Sequence, residues 1–139
     1  MIKIINLKLV MNKYLLIAGT LFGGLAVVLG AFAAHGLEKL ITPDQIETFE
    51  TGVRYQMYHA FLLLIVGCIN MIDEKTKKTI LWITVFGIIL FSGSIYVLAT
   101  NDLTSFDFKT IGFVTPLGGL LFIITWGILL FKFLKIKSE

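Results

Sequence analysis

Residues 14–34, YLLIAGTLFGGLAVVLGAFAA, decide the fold of this chain, and they contain no charged side chain. As a helix rising about 1.5 Å per residue, this segment crosses the roughly 30 Å hydrocarbon core of a bilayer. The whole chain of 139 residues is 57% hydrophobic and 15% charged, with a mean hydropathy of +0.90. Soluble domains are about 25% charged, so this composition excludes an ordinary soluble globule. It also excludes a disordered chain, which would be polar and highly charged.

Three further apolar segments are long enough to cross a membrane. They cover residues 55–72, 79–99 and 112–131. Together with residues 14–34, they predict a single-domain, all-α membrane protein, a bundle of four transmembrane helices. An even number of spans places residues 1–13, an N-terminal arm, on the same side as the tail, residues 132–139.

The lysines between the spans predict the orientation, because short loops rich in Lys and Arg stay in the cytoplasm. The arm, the second connection and the tail contain three lysines each: Lys3, Lys8, Lys13, Lys75, Lys77, Lys78, Lys132, Lys135 and Lys137. The other two connections contain only Lys39, Arg54 and Lys109. We therefore expect a plasma-membrane protein with both termini cytoplasmic. Three separate lysine clusters do not form a nucleic-acid-binding patch.

The N-terminal region also resembles a signal peptide, with basic residues, an apolar run and the small-residue triplet Ala31-Phe32-Ala33. A signal core has about 7–15 apolar residues, and the run here is longer, so we expect a retained span. Met11 is an alternative start, which would make residues 1–10 an upstream extension.

Small residues inside the spans predict close helix packing, because lipid tails are as apolar as leucine and burial alone does not associate helices. The pair Gly19-x-x-x-Gly23 has the spacing typical of such contacts. We expect six glycines to mediate packing: Gly19, Gly23, Gly30, Gly93, Gly118 and Gly119.

The connection after the first span predicts an amphipathic helix over residues 43–53, at the outer membrane surface. The tetrapeptide Thr42-Pro43-Asp44-Gln45 has the capping pattern of a helix start, with proline in the first turn. Glu50 and Arg54 have the i, i+4 spacing of a helical ion pair. We expect this helix to bend into the second span near Gly52.

Polar side chains of the spans and of the residues beside them collect in the predicted outer half of the membrane and suggest a pocket there. They are His35, Glu50, Arg54, Tyr55, Tyr58, His59, Ser92, Ser94, Tyr96 and Thr115. His59 stands out, because an ionisable side chain inside a span indicates function by default. The competing interpretation of His59 is an ordinary interhelical hydrogen bond. We expect His35 at the membrane boundary and His59 about one turn deeper.

Four short motifs occur along the chain in the same order as in a known family, and the chain resembles that family through them. They are GAFAAHGL at residues 30–37, YQMYHA at 55–60, FSGSIY at 91–96 and TPLGG at 115–119. They closely resemble the uncharacterised domain-of-unknown-function 423, or UPF0382, family of small four-span membrane proteins, whose animal relatives are named transmembrane protein 256. The resemblance covers about residues 11–133, and Ala33 stands where the family pattern has a glycine. It implies a bacterial inner-membrane location and no established activity.

The residues favour a non-enzymatic membrane module whose outer polar pocket binds a lipid, a small amphiphile or a partner helix. The expected partners are membrane lipids, with a homo-oligomer or a partner membrane protein possible, and no nucleic acid. An enzyme is the weakest class, because no nucleophile, base and orienting group share a readable spacing.

Two alternatives remain open. A small oligomeric transporter matches the size of the chain, but the spans contain no Asp or Glu, and the predicted shallow position of His59 does not suit a midplane site. A haem or metal site could use His35 and His59, since imidazole is a good ligand for iron, zinc and copper. No cluster of Cys or carboxylates completes a four-ligand metal site, so no cofactor is predicted.

Overall fold

A computed structural model describes the backbone of residues 2–136 and the side chains of residues 11–136. The helices are α1 (Ile2–His35), α2 (Pro43–Cys68), α3 (Glu74–Ile88), α4 (Ser94–Ala99) and α5 (Val114–Leu134). A π-helical turn, Ile89–Gly93, joins α3 directly to α4, and short 3-10 turns, Leu37–Lys39, Asn101–Leu103 and Phe108–Ile111, lie in the connections. The described part of the chain is therefore all-helical, as predicted.

The first helix begins earlier than expected, because α1 already includes most of the predicted N-terminal arm. Residues 2–13 contain neither glycine nor proline, so nothing in this stretch interrupts the helix before the apolar segment. The side chains of Lys3, Lys8 and Lys137 lie outside the described residues.

The predicted amphipathic helix and the second apolar segment form one uninterrupted helix, α2. Its start is as predicted: the Gln45 amide donates to Thr42 Oγ1 at 3.3 Å, and the Thr42 amide donates to Gln45 Oε1 at 2.9 Å. The helix continues through Gly52 without a break. A Cβ at Gly52 would lie 2.8 Å from Tyr96 Cε1, so this glycine lets the α4 ring approach closely rather than ending a helix.

Helices α1 and α2 pack antiparallel along the whole apolar length of α1. A Cβ at Gly19 would lie 2.9 Å from the Ala60 carbonyl oxygen, and one at Gly30 would lie 3.5 Å from Val53 Cγ1. The contacts thus progress in opposite directions along the two helices. Small residues at the seam permit this close approach, as expected for packing in lipid.

Three helical stretches are long and apolar enough to cross a membrane: Met11–Lys39, Glu74–Ala99 and Phe108–Leu134. Helix α2 is less apolar because its first half contains Glu47, Glu50 and Arg54. Its more central polar groups, Gln56 and His59, are each only 3% exposed, so they face other helices rather than lipid. The count of four crossings stays a prediction.

Helices α3 and α5 form the second antiparallel pair. The buried hydroxyls of Thr84 and Thr125 lie 3.3 Å apart at this interface. At Gly118 the two backbones touch, since a Cβ there would lie 2.3 Å from the Phe91 amide nitrogen. Phe91 belongs to the π-helical turn, so the widened turn is packed directly against the glycine.

The six predicted packing glycines behave differently. Gly19 and Gly118 leave no room for a Cβ, whereas Gly23, Gly30 and Gly119 would make ordinary contacts of 3.5–3.7 Å. Gly93 has no neighbour within 4 Å of a built Cβ, so close packing does not explain this glycine. Close contacts outside these six glycines occur at Gly52, Gly67 and Gly87.

Most lysines of the described chain lie at one end of the bundle, whereas Lys39 and Lys109 lie in the connections at the other end. Lys132 on α5 donates to Asp73 Oδ2 at 2.6 Å, and Lys77 on α3 donates to Asn12 on α1. Asp73 also accepts from the Thr76 amide at 3.0 Å and so caps α3. The Lys132 ammonium and the Thr76 donors hold the pKa of Asp73 well below its ordinary value. We call this region the lysine-rich end.

Candidate functional site

His59 lies among aromatic side chains, and both of its ring nitrogens are hydrogen-bonded within the chain. Nδ1 lies 2.8 Å from the Tyr55 carbonyl oxygen. A carbonyl can only accept, so Nδ1 carries the proton and Nε2 accepts. The Trp126 indole nitrogen donates to Nε2 at 3.3 Å. The imidazole also stacks on Phe122, with ring centroids 3.5 Å apart.

These residues form one wall of an open cavity of about 540 Å³ between α2 and α5, which we call the aromatic groove. Its lining side chains are Tyr55, His59, Phe91, Pro116, Gly119, Leu120, Phe122, Ile123 and Trp126. Most of these side chains are apolar, and Leu120, Ile123 and Trp126 are more than half exposed on the outside of the bundle. In a bilayer this opening faces lipid.

Helical periodicity creates the groove. Tyr55 and His59 are i, i+4 neighbours on α2, and Gly119, Phe122 and Trp126 repeat at intervals of three and four on α5, so each set shares one face. Gly119 has no side chain to fill the space between the two helices. The space beside Gly119 is therefore left open, although His59 and Phe122 are in contact deeper in the groove.

The depth of His59 differs from the prediction. The neighbouring residue Ala60 packs against Gly23, with 3.7 Å between the Ala60 Cβ and a Cβ built at Gly23. Gly23 is near the middle of the apolar segment of α1, about 18 Å along the helix from His35 at 1.5 Å per residue. His59 therefore lies near the middle of the bundle rather than one turn below His35, because α2 runs straight beside α1.

A second polar network lies on the other side of α2, around Gln56. The Gln56 amide nitrogen donates to the Phe22 carbonyl oxygen on α1 at 2.9 Å, and Gln56 Oε1 accepts from the Tyr96 hydroxyl on α4 at 2.9 Å. The Tyr96 ring also packs on Phe49, with centroids 4.6 Å apart. This network connects three helices and fills the space between them.

The serines of the third apolar segment have opposite environments. Ser94 Oγ lies 2.6 Å from Thr115 Oγ1 and donates to the Phe91 carbonyl oxygen at 2.9 Å, which connects α4 to α5. Ser92, in the π-helical turn, is fully buried, and its hydroxyl has no hydrogen-bond partner among the described residues.

Four of the ten predicted pocket residues lie on the outside of the bundle. Glu50 and Arg54 form a half-exposed ion pair at 3.8 Å, Tyr58 is 55% exposed, and His35 is exposed at the end of α1. The structure thus brings only Tyr55 and His59 of the predicted set into the aromatic groove. Tyr96, Ser94, Thr115 and Ser92 are interhelical instead.

The two histidines do not fit a bis-histidine haem. They are separated by about 18 Å along the bundle axis at 1.5 Å per helical residue, and one porphyrin iron binds its axial ligands directly on opposite faces. The Nε2 atom of His59 is also engaged by Trp126. Among the described residues, no group of three or more His, Cys, Asp or Glu side chains could hold a metal ion.

The ten predicted pocket residues do not include Gln56, which connects the polar network, or Phe122 and Trp126, which line the groove. Gln56 occurs in the YQMYHA motif, and a polar amide near His59 within an apolar span could have indicated an interhelical hydrogen bond. Phe122 and Trp126 had no such signal, because an aromatic residue at helical spacing in an apolar segment is ordinary.

Comparison with known proteins identifies relatives along most of the chain. Residues 29–119 match the family described as protein of unknown function (DUF423). The UPF0382 membrane protein SSP2132 of Staphylococcus saprophyticus is 39% identical over 124 residues, which cover 89% of this chain and 99% of that protein. The UPF0382 membrane protein YwdK of Bacillus subtilis is 40% identical, over 82% of this chain and 90% of its own length.

The UPF0382 inner membrane protein YgdD of Escherichia coli is 33% identical, over 92% of this chain and 95% of its own length. No solved structure matches the chain. The resemblance carried by the four motifs is thereby confirmed, and the family match alone covers more than half of the residues. The chain belongs to the DUF423, or UPF0382, family of multi-pass membrane proteins, a family of unknown function.

Proposed function

We propose that this protein is a non-enzymatic membrane module that binds a lipid acyl chain in the aromatic groove. The observation that carries the proposal is the lipid-facing opening of a largely apolar cavity in which both ring nitrogens of His59 already have hydrogen-bond partners. His59 uses both ring nitrogens on Tyr55 and Trp126. An occupant is therefore recognised by its shape and apolar surface rather than by hydrogen bonds.

The dimensions of the groove favour an extended apolar chain. On α5 the groove reaches from Pro116 to Trp126, which is about 15 Å at 1.5 Å per residue. The rings of Tyr55 and Phe91, which pack together with centroids 4.8 Å apart, offer flat surfaces to methylene groups. A volume of about 540 Å³ is within the usual 300–1,000 Å³ of ligand sites.

The two tryptophans provide a direct test, because Trp126 lines this groove and Trp82 does not. In a Trp82→Phe background, Trp126 is the remaining tryptophan. We expect saturable quenching of its fluorescence when a phospholipid with brominated acyl chains is added to the full chain in mild detergent.

Two variants of equal size separate groove binding from general lipid contact. Gly119→Leu fills the groove and should abolish saturation, whereas Gly127→Leu adds the same side chain where a Cβ meets no neighbour within 4 Å. Equal quenching in both variants would contradict the proposal.

A transporter remains the second candidate, because His59 lies near the middle of the bundle, where alternating-access proteins bind their substrates. The two hydrogen bonds of His59 count against it, since they must break before the ring can exchange a proton with a substrate. Flux of a lipophilic cation across sealed vesicles, lost in His59→Gln, would support transport. Unchanged flux in that variant would exclude a role for His59.

We also propose four crossings with both termini in the cytoplasm. The support is the collection of lysines at one end of the bundle and the antiparallel contact of α2 with the whole apolar length of α1. In a Cys68→Ser background, an impermeant maleimide added outside the cell should label Thr48→Cys and not Lys78→Cys. The reverse pattern would overturn this orientation.

A further inference from the structure

A second cavity, of about 660 Å³, lies between α1 and α3 at the lysine-rich end, on a different face from the aromatic groove. We call it the lysine-end groove. Its lining is apolar except at the rim, and it consists of Met11, Tyr14, Ile17, Ala18, Leu21, Phe22, Lys78, Leu81, Trp82 and Val85.

We propose that the lysine-end groove binds one phospholipid with an anionic headgroup. The acyl chain lies in the apolar groove, and the Lys78 ammonium binds the headgroup at its rim. This site is independent of the aromatic groove, with which it shares no lining residue.

Lys78 is the basic residue that lines the lysine-end groove. Lys132 is paired with Asp73, and Lys77 is fully buried and donates to Asn12. Lys78 is exposed and has no hydrogen bond or ion pair with any residue of the described chain. Its charge is therefore available to an anion, and basic pockets between helices on the cytoplasmic side are typical sites for anionic headgroups.

The rim has the composition of a membrane interface. Tyr14 and Trp82 are 54% and 52% exposed beside Lys78. Their rings combine an apolar body with an O–H or N–H donor, which suits the depth at which acyl chains meet headgroups. The proposed phosphodiester lies at this level, beside the Lys78 ammonium.

The depth of the groove favours a lipid over a partner helix. Along α1 it reaches from Met11 to Phe22, about 16 Å at 1.5 Å per residue. Half of a bilayer core of about 30 Å is similar. A lipid of one leaflet fills this length, whereas a transmembrane partner helix spans both leaflets and the groove ends at Phe22 and Val85.

Native mass spectrometry of the full chain tests the proposal, with equal amounts of phosphatidylglycerol and phosphatidylcholine of the same acyl chains. We expect phosphatidylglycerol adducts to be favoured about fivefold, the effect typical of one basic residue near a headgroup. Lys78→Gln should reduce this preference towards one. Lys75→Gln is the matched control, because Lys75 is on the same helix and lines a different cavity.

A second pair of variants tests the acyl-chain part. Ala18→Phe fills the groove and should remove bound lipid of both kinds, whereas Ala31→Phe adds the same ring on an exposed part of α1 that does not line the groove. The lysine pair remains decisive even if Ala18→Phe fails to fold, since both lysine side chains are exposed.

Three results would overturn the inference: equal binding of the two lipids by the parent chain, a preference retained in Lys78→Gln, or a preference lost equally in Lys75→Gln. Gly119→Leu should leave the phosphatidylglycerol preference intact. Its loss in that variant would assign the anion preference to the aromatic groove and would also overturn the inference.

Discussion

Single residues show how this chain keeps polar groups away from lipid. His59 donates from one ring nitrogen and accepts at the other, and the Gln56 amide bridges a backbone carbonyl and the Tyr96 hydroxyl. Each group has exchanged water for a partner on the same or a neighbouring helix, which a buried polar group requires. The polar side chains of the YQMYHA motif, Gln56 and His59, therefore connect helices to one another, and the aromatic groove lies beside them.

Gly118 is the position where a single methyl group should cost most. A Cβ there would lie 2.3 Å from the backbone nitrogen of Phe91, and two backbones cannot yield as a flexible side chain does. We expect Gly118→Ala to destabilise the folded chain by about 1–3 kcal/mol, as overpacking does, measured as a lower thermal midpoint in detergent. Gly127→Ala, where nothing lies within 4 Å, should not lower it, and an equal loss in both variants would refute this explanation.

Ser92 and Ser94 should respond in opposite ways to the loss of a hydroxyl. Ser92 Oγ is buried without a partner in the described chain, and an unsatisfied buried group costs about 1–3 kcal/mol, so Ser92→Ala should maintain or raise the thermal midpoint. Ser94→Ala removes the bond to Thr115 and should lower stability by about 0.6 kcal/mol, the average for interhelical bonds in membranes. A larger loss in Ser92→Ala than in Ser94→Ala would show that Ser92 has an undetected partner.

Among the elements, α2 differs most from its prediction, because it is one uninterrupted helix. The amphipathic residues 43–53 and the apolar residues that follow read as two segments, yet they form one helix because no residue between them stops it. This uninterrupted path places His59 near the middle of the bundle rather than about one turn below the membrane boundary. The π-helical turn, Ile89–Gly93, was not predicted. In this turn the backbone of Phe91 packs against Gly118 of another helix, and a contact between distant segments cannot be read along the chain.

The start of α3 should be sensitive to acid through Asp73. Its folded-state pKa is lowered by Lys132 and Thr76, so its stabilising contribution is present above the unfolded value of about 3.9 and is lost as the pH falls below it. We expect the thermal midpoint of the parent chain to fall more between pH 6 and pH 3 than that of Asp73→Asn, which keeps a capping side chain. Parallel curves for the two proteins would contradict this role.

At the scale of the whole molecule, charge and cavities divide the bundle into two ends. Most of the described lysines lie near the Asp73–Lys132 and Asn12–Lys77 contacts. The start of α2 lies at the other end, where Gln45 donates to Asp102 at 2.7 Å. The lysine-end groove lies between α1 and α3, and the aromatic groove between α2 and α5. The bundle thus offers lipid two separate concave surfaces on different faces.

The crossing of α2 is a property of the whole bundle and can be tested by placing a charge on its lipid side. Phe61 is 54% exposed near the middle of the helix pair, so Phe61→Lys should cost about 2.5–3.5 kcal/mol for membrane insertion and reduce the yield of inserted protein. Thr48→Lys, in the exposed early turns of α2, should leave the yield unchanged. Equal yields would indicate that α2 lies on the surface.

The amino-acid sequence by itself determined the all-helical membrane fold, the start of α2 at Thr42 and the family. Composition, apolar run length and capping chemistry are local properties, so they can be read along the chain. Only the tertiary structure decided which polar residues meet, that His59 lies against Phe122 and Trp126, and that two grooves remain open. Those outcomes depend on the register and rotation of neighbouring helices. Small residues permit close approach at many registers, and side-chain packing selects one of them.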